Sequence, residues 1–291
     1  AIGMDALDAI TTVSNTIAIG KDALGANTSG TSNTAIGHEA LAGNTSGGEN
    51  VAMGYGALDA NTTASNNTGV GYLALSANTT GTANTAVGSL AADALTVGQF
   101  NTAIGHTALG ADTQGSHSVA VGYGALTLQN FTSATNTFNT AIGNNALYAN
   151  TTGANNTALG YSSLTANTTG AKNSAVGQGA LDSNTTASFN NAFGFDALGA
   201  NTTGAENSAF GHSALIVNTT GGNNVAIGSN ALAANTTASN NTAVGREALT
   251  SNTTGTQNVA IGTKSLDANT TANDNVAVGY GTLGVNTTGT L

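Results

Sequence analysis

One glycine recurs every 17 residues along most of this 291-residue chain. It closes an A-I/V-G triplet at Gly3, Gly20, Gly37, Gly54, Gly71, Gly88, Gly105 and Gly122, and after a four-residue insertion it returns at Gly143 and runs on at the same interval to Gly279. The unit reads N-T-A-I/V-G-x-x-A-L-x-A-N-T-T-G-x-x, and its residues are numbered below as positions 1 to 17, with the glycine at position 5. A fixed period of this length means that one small structural unit is stacked many times and buries its apolar face only against its neighbours.

Two positions carry large apolar side chains. Position 4 holds Ile19, Ile36, Met53, Val70, Val87 and so on through Phe193, Phe210 and Val278, and position 9 is Leu everywhere except Ala92, where Leu90 and Leu95 flank the gap. Stacked in register, these make two continuous ladders, and both are expected inside. Helical repeats do not fit: the unit is too short for a helix pair, Gly and Asn-Thr interrupt every segment, and apolar spacing never holds the helical period. N-T-A-I-G reads as a strand with Thr and Ile on one face and Ala on the other, and A-L-x-A as a shorter second strand. Gly and Asn supply the corners, because they accept positive φ at low cost. The expected fold is an all-β parallel β-solenoid or β-roll of about 17 coils, two short strands per coil, in one array over 1–291 with a loop insertion at 127–138. Parallel coils at ~4.8 Å predict an array about 80 Å long.

Position 3 is Ala in every unit but the one with Gly69. Alanine is a poor strand residue, so something selects it: either the coil is so flat that only a methyl fits, or this stripe meets another chain closely. The second, favoured reading predicts a homo-oligomer about a long axis.

Composition narrows the partners. Four basic and fourteen acidic residues give a formal charge of −10, too few cations for a phosphate-binding footprint, so no nucleic-acid partner is expected. Cys is absent, which excludes disulfides and thiolate metal sites. No apolar run approaches the ~20 residues of a membrane span, so no membrane contact is expected from this segment. The chain begins and stops within the repeat pattern and reads as a window on a longer array.

The segment Asn33-Thr34-Ala35-Ile36-Gly37-His38-Glu39-Ala40-Leu41 resembles the YadA-like head repeat of trimeric autotransporter adhesins, and related repeats occur in phage tail fibres. The resemblance covers essentially the whole chain. It implies a left-handed roll, three chains per rod, and an extracellular, cell-surface location. The family's usual repeat is shorter than 17, and the extra residues here fall in the A-N-T-T-G corner.

Three features are candidates for function. The corner matches the N-x-S/T glycosylation acceptor at Asn27, Asn44, Asn61, Asn78, Asn150, Asn167, Asn184, Asn201, Asn218, Asn235, Asn252, Asn269 and Asn286, with further acceptors at Asn66, Asn130, Asn155 and Asn240. The same residues equally suit a ladder in which each amide bonds the coils above and below. Position 6 gathers His38, Tyr55, Tyr72, His106, Tyr123, Tyr161, Phe195, His212 and Tyr280, a surface ring row for sugars or for cross-coil stacking. The insertion adds Phe131 and Phe138 and is expected to bulge over a break in the ladder.

No catalytic, cofactor or metal constellation is read from the sequence: the four His are not at metal-ligand spacing, and Ser has no partner set. The expectation is a structural extracellular fibre or adhesin shaft, with self, surface glycans or matrix as partners. The alternatives are a purely architectural filament or phage tail-fibre shaft, growing end to end, and an ice-binding solenoid. The last ranks lowest because adjacent threonines on a strand point to opposite faces.

Overall fold

The computed structural model describes residues 1–289. The chain divides into two units, Ala1–Asn145 and Ala146–Leu291, each a parallel β-solenoid with 17-residue turns. No helix occurs among the described residues. In the first unit, β1 (Ile17–Ile19), β2 (Thr34–Ile36), β3 (Val51–Met53), β4 (Thr68–Val70), β5 (Thr85–Val87) and β6 (Thr102–Ile104) precede β7 (Gly115–Ser116), β8 (Val119–Val121), β9 (Thr135–Asn136) and β10 (Thr140–Ile142). The second unit holds β11 (Thr157–Leu159), β12 (Ser174–Val176), β13 (Asn191–Phe193), β14 (Ser208–Phe210), β15 (Val225–Ile227), β16 (Thr242–Val244), β17 (Val259–Ile261) and β18 (Val276–Val278).

Register follows the sequence period. Ala35 lies opposite Ala52 in β2 and β3, and Ala209 opposite Ala226 in β14 and β15. At the insertion β8 still pairs with β10, Ala120 against Ala141, and the insertion's Thr135 and Asn136 form β9, which pairs with Gly115 and Ser116 of β7 in the preceding coil.

Apart from the first turn, where Ile2 makes a single bridge, and the two turns that also hold β7 and β9, each turn contains one three-residue strand only, so the expectation of two strands per coil fails. A-L-x-A is a turn in which positions 7 and 9 both take left-handed backbone, as at Asp22 (φ 58) and Leu24 (φ 54). These residues still bond between coils: the Asp22 amide donates to Met4 O at 3.0 Å and the Leu24 amide to Ala40 O at 3.0 Å. A left-handed residue with a Cβ costs ~1–2 kcal/mol, and fully burying a leucine returns ~1.5–3 kcal/mol. Leu24, Leu41, Leu164, Leu181 and their equivalents in the interior coils are 0% exposed, while Leu7 and Leu283 of the end coils are half-buried.

The glycine of position 5 is required on two counts. Gly160 sits at φ +137, and a Cβ there would lie 2.6 Å from the carbonyl oxygen of Gly177 in the next coil. No other residue combines that backbone with that approach.

The strand faces are the reverse of the expected ones. Ala at position 3 is buried from Ala18 to Ala277, as at Ala35, Ala141 and Ala226. Thr and Ile of positions 2 and 4 alternate with it, as anticipated, but they point outward: Ile142 is 39% exposed and Ile261 41%. The coil is thin. Leucine from position 9 and alanine from position 8 fill the space opposite the strand, leaving room only for a methyl. The alanine stripe is therefore core within one chain, so the flat-coil explanation holds, and the Ile/Val ladder is surface.

Candidate functional surface

Two asparagine ladders complete the interior. At position 12, Nδ2 of Asn44 donates to Oδ1 of Asn27 (2.9 Å) and to Gly47 O (3.0 Å), and Asn61 and Asn78 repeat the pattern. In the second unit the chain of amides runs from Asn150 through Asn167, Asn184, Asn201, Asn218, Asn235 and Asn252 to Asn269, with links of 2.8–3.1 Å. At position 1 the backbone amide of Asn50 donates to Asn33 Oδ1 (2.9 Å), while Asn33 Nδ2 donates to Gly47 O (2.8 Å).

The corner acceptors thus lie inside. Asn27, Asn44, Asn61, Asn78, Asn150, Asn167, Asn184, Asn201, Asn218, Asn235, Asn252 and Asn269 are 0% exposed, and half-buried Asn286 donates to Gly289 O at 2.8 Å. A sugar on any buried one would have to pull its amide out of the ladder. The other four motifs differ: Asn66, Asn130, Asn155 and Asn240 are exposed.

The ladder is interrupted once in the first unit. Leu95 stands at position 12 and Ala92 at position 9, so the large and small residues have exchanged slots and the core volume is kept. The exchange leaves Asn78 Oδ1 buried with no hydrogen-bond partner. On the far side Asp112 replaces the asparagine and accepts from Gln129 Nε2 (2.7 Å) and from the amides of Gly115 and Phe131 (3.0 and 3.1 Å). Burial raises its carboxyl above the usual range despite those bonds. Gln129 also donates to Ser118 (2.9 Å) and accepts from Asn139 (2.8 Å), carrying a polar network through the insertion.

The ring row of position 6 stacks on itself. His38, Tyr55 and Tyr72 are spaced 5.3 and 5.5 Å, His106 and Tyr123 5.6 Å, and Phe195 and His212 5.5 Å. Each ring in such a stack turns at least one face to its neighbour, which leaves mainly edges for a ligand. Tyr161 and Tyr280 are exposed, with no ring contact among the described residues. A second row, missed in the sequence, stands at position 17: the rings of Phe100, His117 and Phe138 follow one another at 5.1 and 5.3 Å, tilted by 32° and 40°, and Lys172 lies 4.9 Å over Phe189. Its signal was present as aromatics sharing one repeat position. Of the two insertion phenylalanines, Phe131 is almost buried at 8%, whereas Phe138 is exposed.

One titratable cluster also escaped the sequence reading, since its members occupy variable positions. Asp22, His38 and Glu39 bring ligand atoms within 4.8 Å of one another. Lys21 Nζ already lies 2.6 Å from Asp22, and the cluster is half-exposed, so it reads as a mutually compensating surface group.

The remaining surface is threonine. At position 13 the Thr45 hydroxyl donates to Thr62 O at 3.1 Å, and the same bond recurs down each unit. Positions 13 and 14 are bends, so the two threonines of N-T-T do not alternate: Thr168 is half-exposed, Thr169 exposed, and the flanking Asn167 and Gly170 buried. The objection that adjacent threonines point to opposite faces does not apply here. No family model matches the chain, and no curated protein matches it.

Proposed function

We propose that the chain is a structural fibre or adhesin shaft of the cell surface that associates with further copies of itself along the outward strip of positions 2 and 4. The observation that carries this reading is the strip's exposure. Leu159, Phe210, Ile227 and Ile261 are 40–45% exposed, in a chain with very few charges to keep such a column solvated. An unbroken column of large apolar side chains at position 4, bordered by the mostly polar position 2, suits an association site. A second copy of the chain matches it best, because it alone carries the same coil spacing and meets the strip side chain for side chain along its length.

The resemblance to trimeric adhesin heads favours three chains. The ladders supply endurance without metals or disulfides, and the stacked rings support the shaft. Sedimentation tests the proposal: the wild type is expected as an oligomer, and Phe210→Lys/Ile227→Lys/Ile261→Lys as a monomer with an unchanged circular dichroism spectrum. A wild type that stays monomeric at high concentration refutes it.

A further inference from the structure

The second unit presents a further surface at repeat positions outside the strip of positions 2 and 4. At positions 13 and 14 it carries Thr-Thr in every one of nine consecutive units, from Thr151-Thr152 to Thr287-Thr288. The position-13 side chains from Thr151 to Thr270 are locked, each hydroxyl donating to the next coil's position-13 carbonyl at 3.0–3.2 Å. From Thr152 to Thr288 the position-14 side chains are exposed. Around the columns the described residues at positions 11 to 16 are Ala, Ser, Gly, Asn, Thr and Val alone, without a charge or a ring.

This is a terrace of methyl and hydroxyl groups, two per coil, repeating at the ~4.8 Å spacing of paired strands. Macromolecular partners are held by buried aromatic or Arg anchors, and the terrace offers neither. Sugars stack on ring faces, and the rings occupy positions 6 and 17, on other parts of the coil. A partner gripped by many weak, identical, evenly spaced contacts must itself be periodic. Crystalline water qualifies: its oxygen layers repeat at a spacing close to that of the coils, hydroxyls can join its hydrogen-bond network, and methyls can sit in the hollows between its oxygens. Rigid side chains lower the ordering cost of such binding.

We propose that the threonine columns of the second unit bind the surface of ice. The full chain is expected to shape growing ice crystals and to hold the freezing point below the melting point. Thr203→Lys/Thr220→Lys/Thr237→Lys, placed at exposed position 14, is expected to abolish that gap while the circular dichroism spectrum and melting temperature stay as in the wild type. The strip variant Phe210→Lys/Ile227→Lys/Ile261→Lys is expected to retain it, which separates this proposal from self-association. The inference is overturned by a wild type with no gap between freezing and melting, by a threonine variant that keeps one, or by a strip variant that loses it. Loss of self-association in the threonine variant would also overturn it, by assigning the columns to a second copy of the chain.

Discussion

The two units share one repeat, and they differ in how faithfully they keep it. In the second, the position-12 amides link without a gap from Asn150 to Asn269. In the first, four asparagines are followed by Leu95, then Asp112, then Gln129. The fold absorbs this because the leucine slot and the asparagine slot adjoin: Ala92 gives up the volume that Leu95 takes. Core volume is thus conserved locally, whereas hydrogen bonding is not, as the orphaned Oδ1 of Asn78 shows. Packing tolerates exchange between slots, and the amide ladder does not.

Breaking the better ladder should have the largest effect. Asn201→Ala removes donations to Asn184 Oδ1 (3.0 Å) and Gly204 O (2.9 Å) and takes away the acceptor of Asn218. With buried groups left unpaired at about 1–3 kcal/mol each, we expect a loss of roughly 3 kcal/mol or more, visible as lower hydrogen-exchange protection in the coils on either side. A loss confined to a few tenths would show that the ladder is incidental to stability.

Repairing the poorer ladder is the converse. Ala92→Leu together with Leu95→Asn restores the consensus, gives Asn78 its partner, and should stabilise the first unit by about 1–2 kcal/mol. Either substitution alone should destabilise it, through overpacking in one case and a cavity in the other. Additive single effects in a double-mutant cycle of urea unfolding would contradict the exchange of slots.

The smallest effect is on pH dependence. Burial raises the carboxyls of Asp59, Asp93 and Asp112 in the first unit. In the second it raises Asp182, while Arg246 lowers Glu247. A raised carboxyl binds its proton more tightly folded than unfolded, so its stabilising contribution is complete below the ordinary value of ~3.9 and fades as pH climbs through the folded value. Acidification should therefore strengthen the first unit relative to the second, and Asp112→Asn should flatten that response. Exchange protection, corrected for intrinsic rates, that falls in the first unit on acidification would contradict it.

Period, parallel register, the corner glycine and the leucine ladder were legible in the sequence, since each follows from recurrence at fixed positions. Which strand face lies inside was not. Alternation groups Thr34 with Ile36 against Ala35, but hydrophobicity then selects Ile, and only the width left beside Leu41 selects Ala. Leucine in left-handed backbone is disfavoured locally, so A-L-x-A reads as a strand until the inter-coil bonds that hold Leu24 are seen. The corner N-T-T spells a glycosylation acceptor and a buried ladder in the same letters, and solvent exposure, which no local motif encodes, separates Asn66 from Asn61.

The amide ladder carries a consequence for how such a chain changes over generations. Each asparagine in the second unit reads only the coil beside it, so a finished coil acts on the next as a crystal face acts on an arriving layer. Removing or duplicating a whole 17-residue layer, such as 185–201, joins equivalent lattice edges and keeps an asparagine facing an asparagine across the join. Losing a single residue shifts the remainder of its layer out of phase and sets threonine in the asparagine slot. Lengths that differ by whole layers are the variation that such a lattice can accept without a fault.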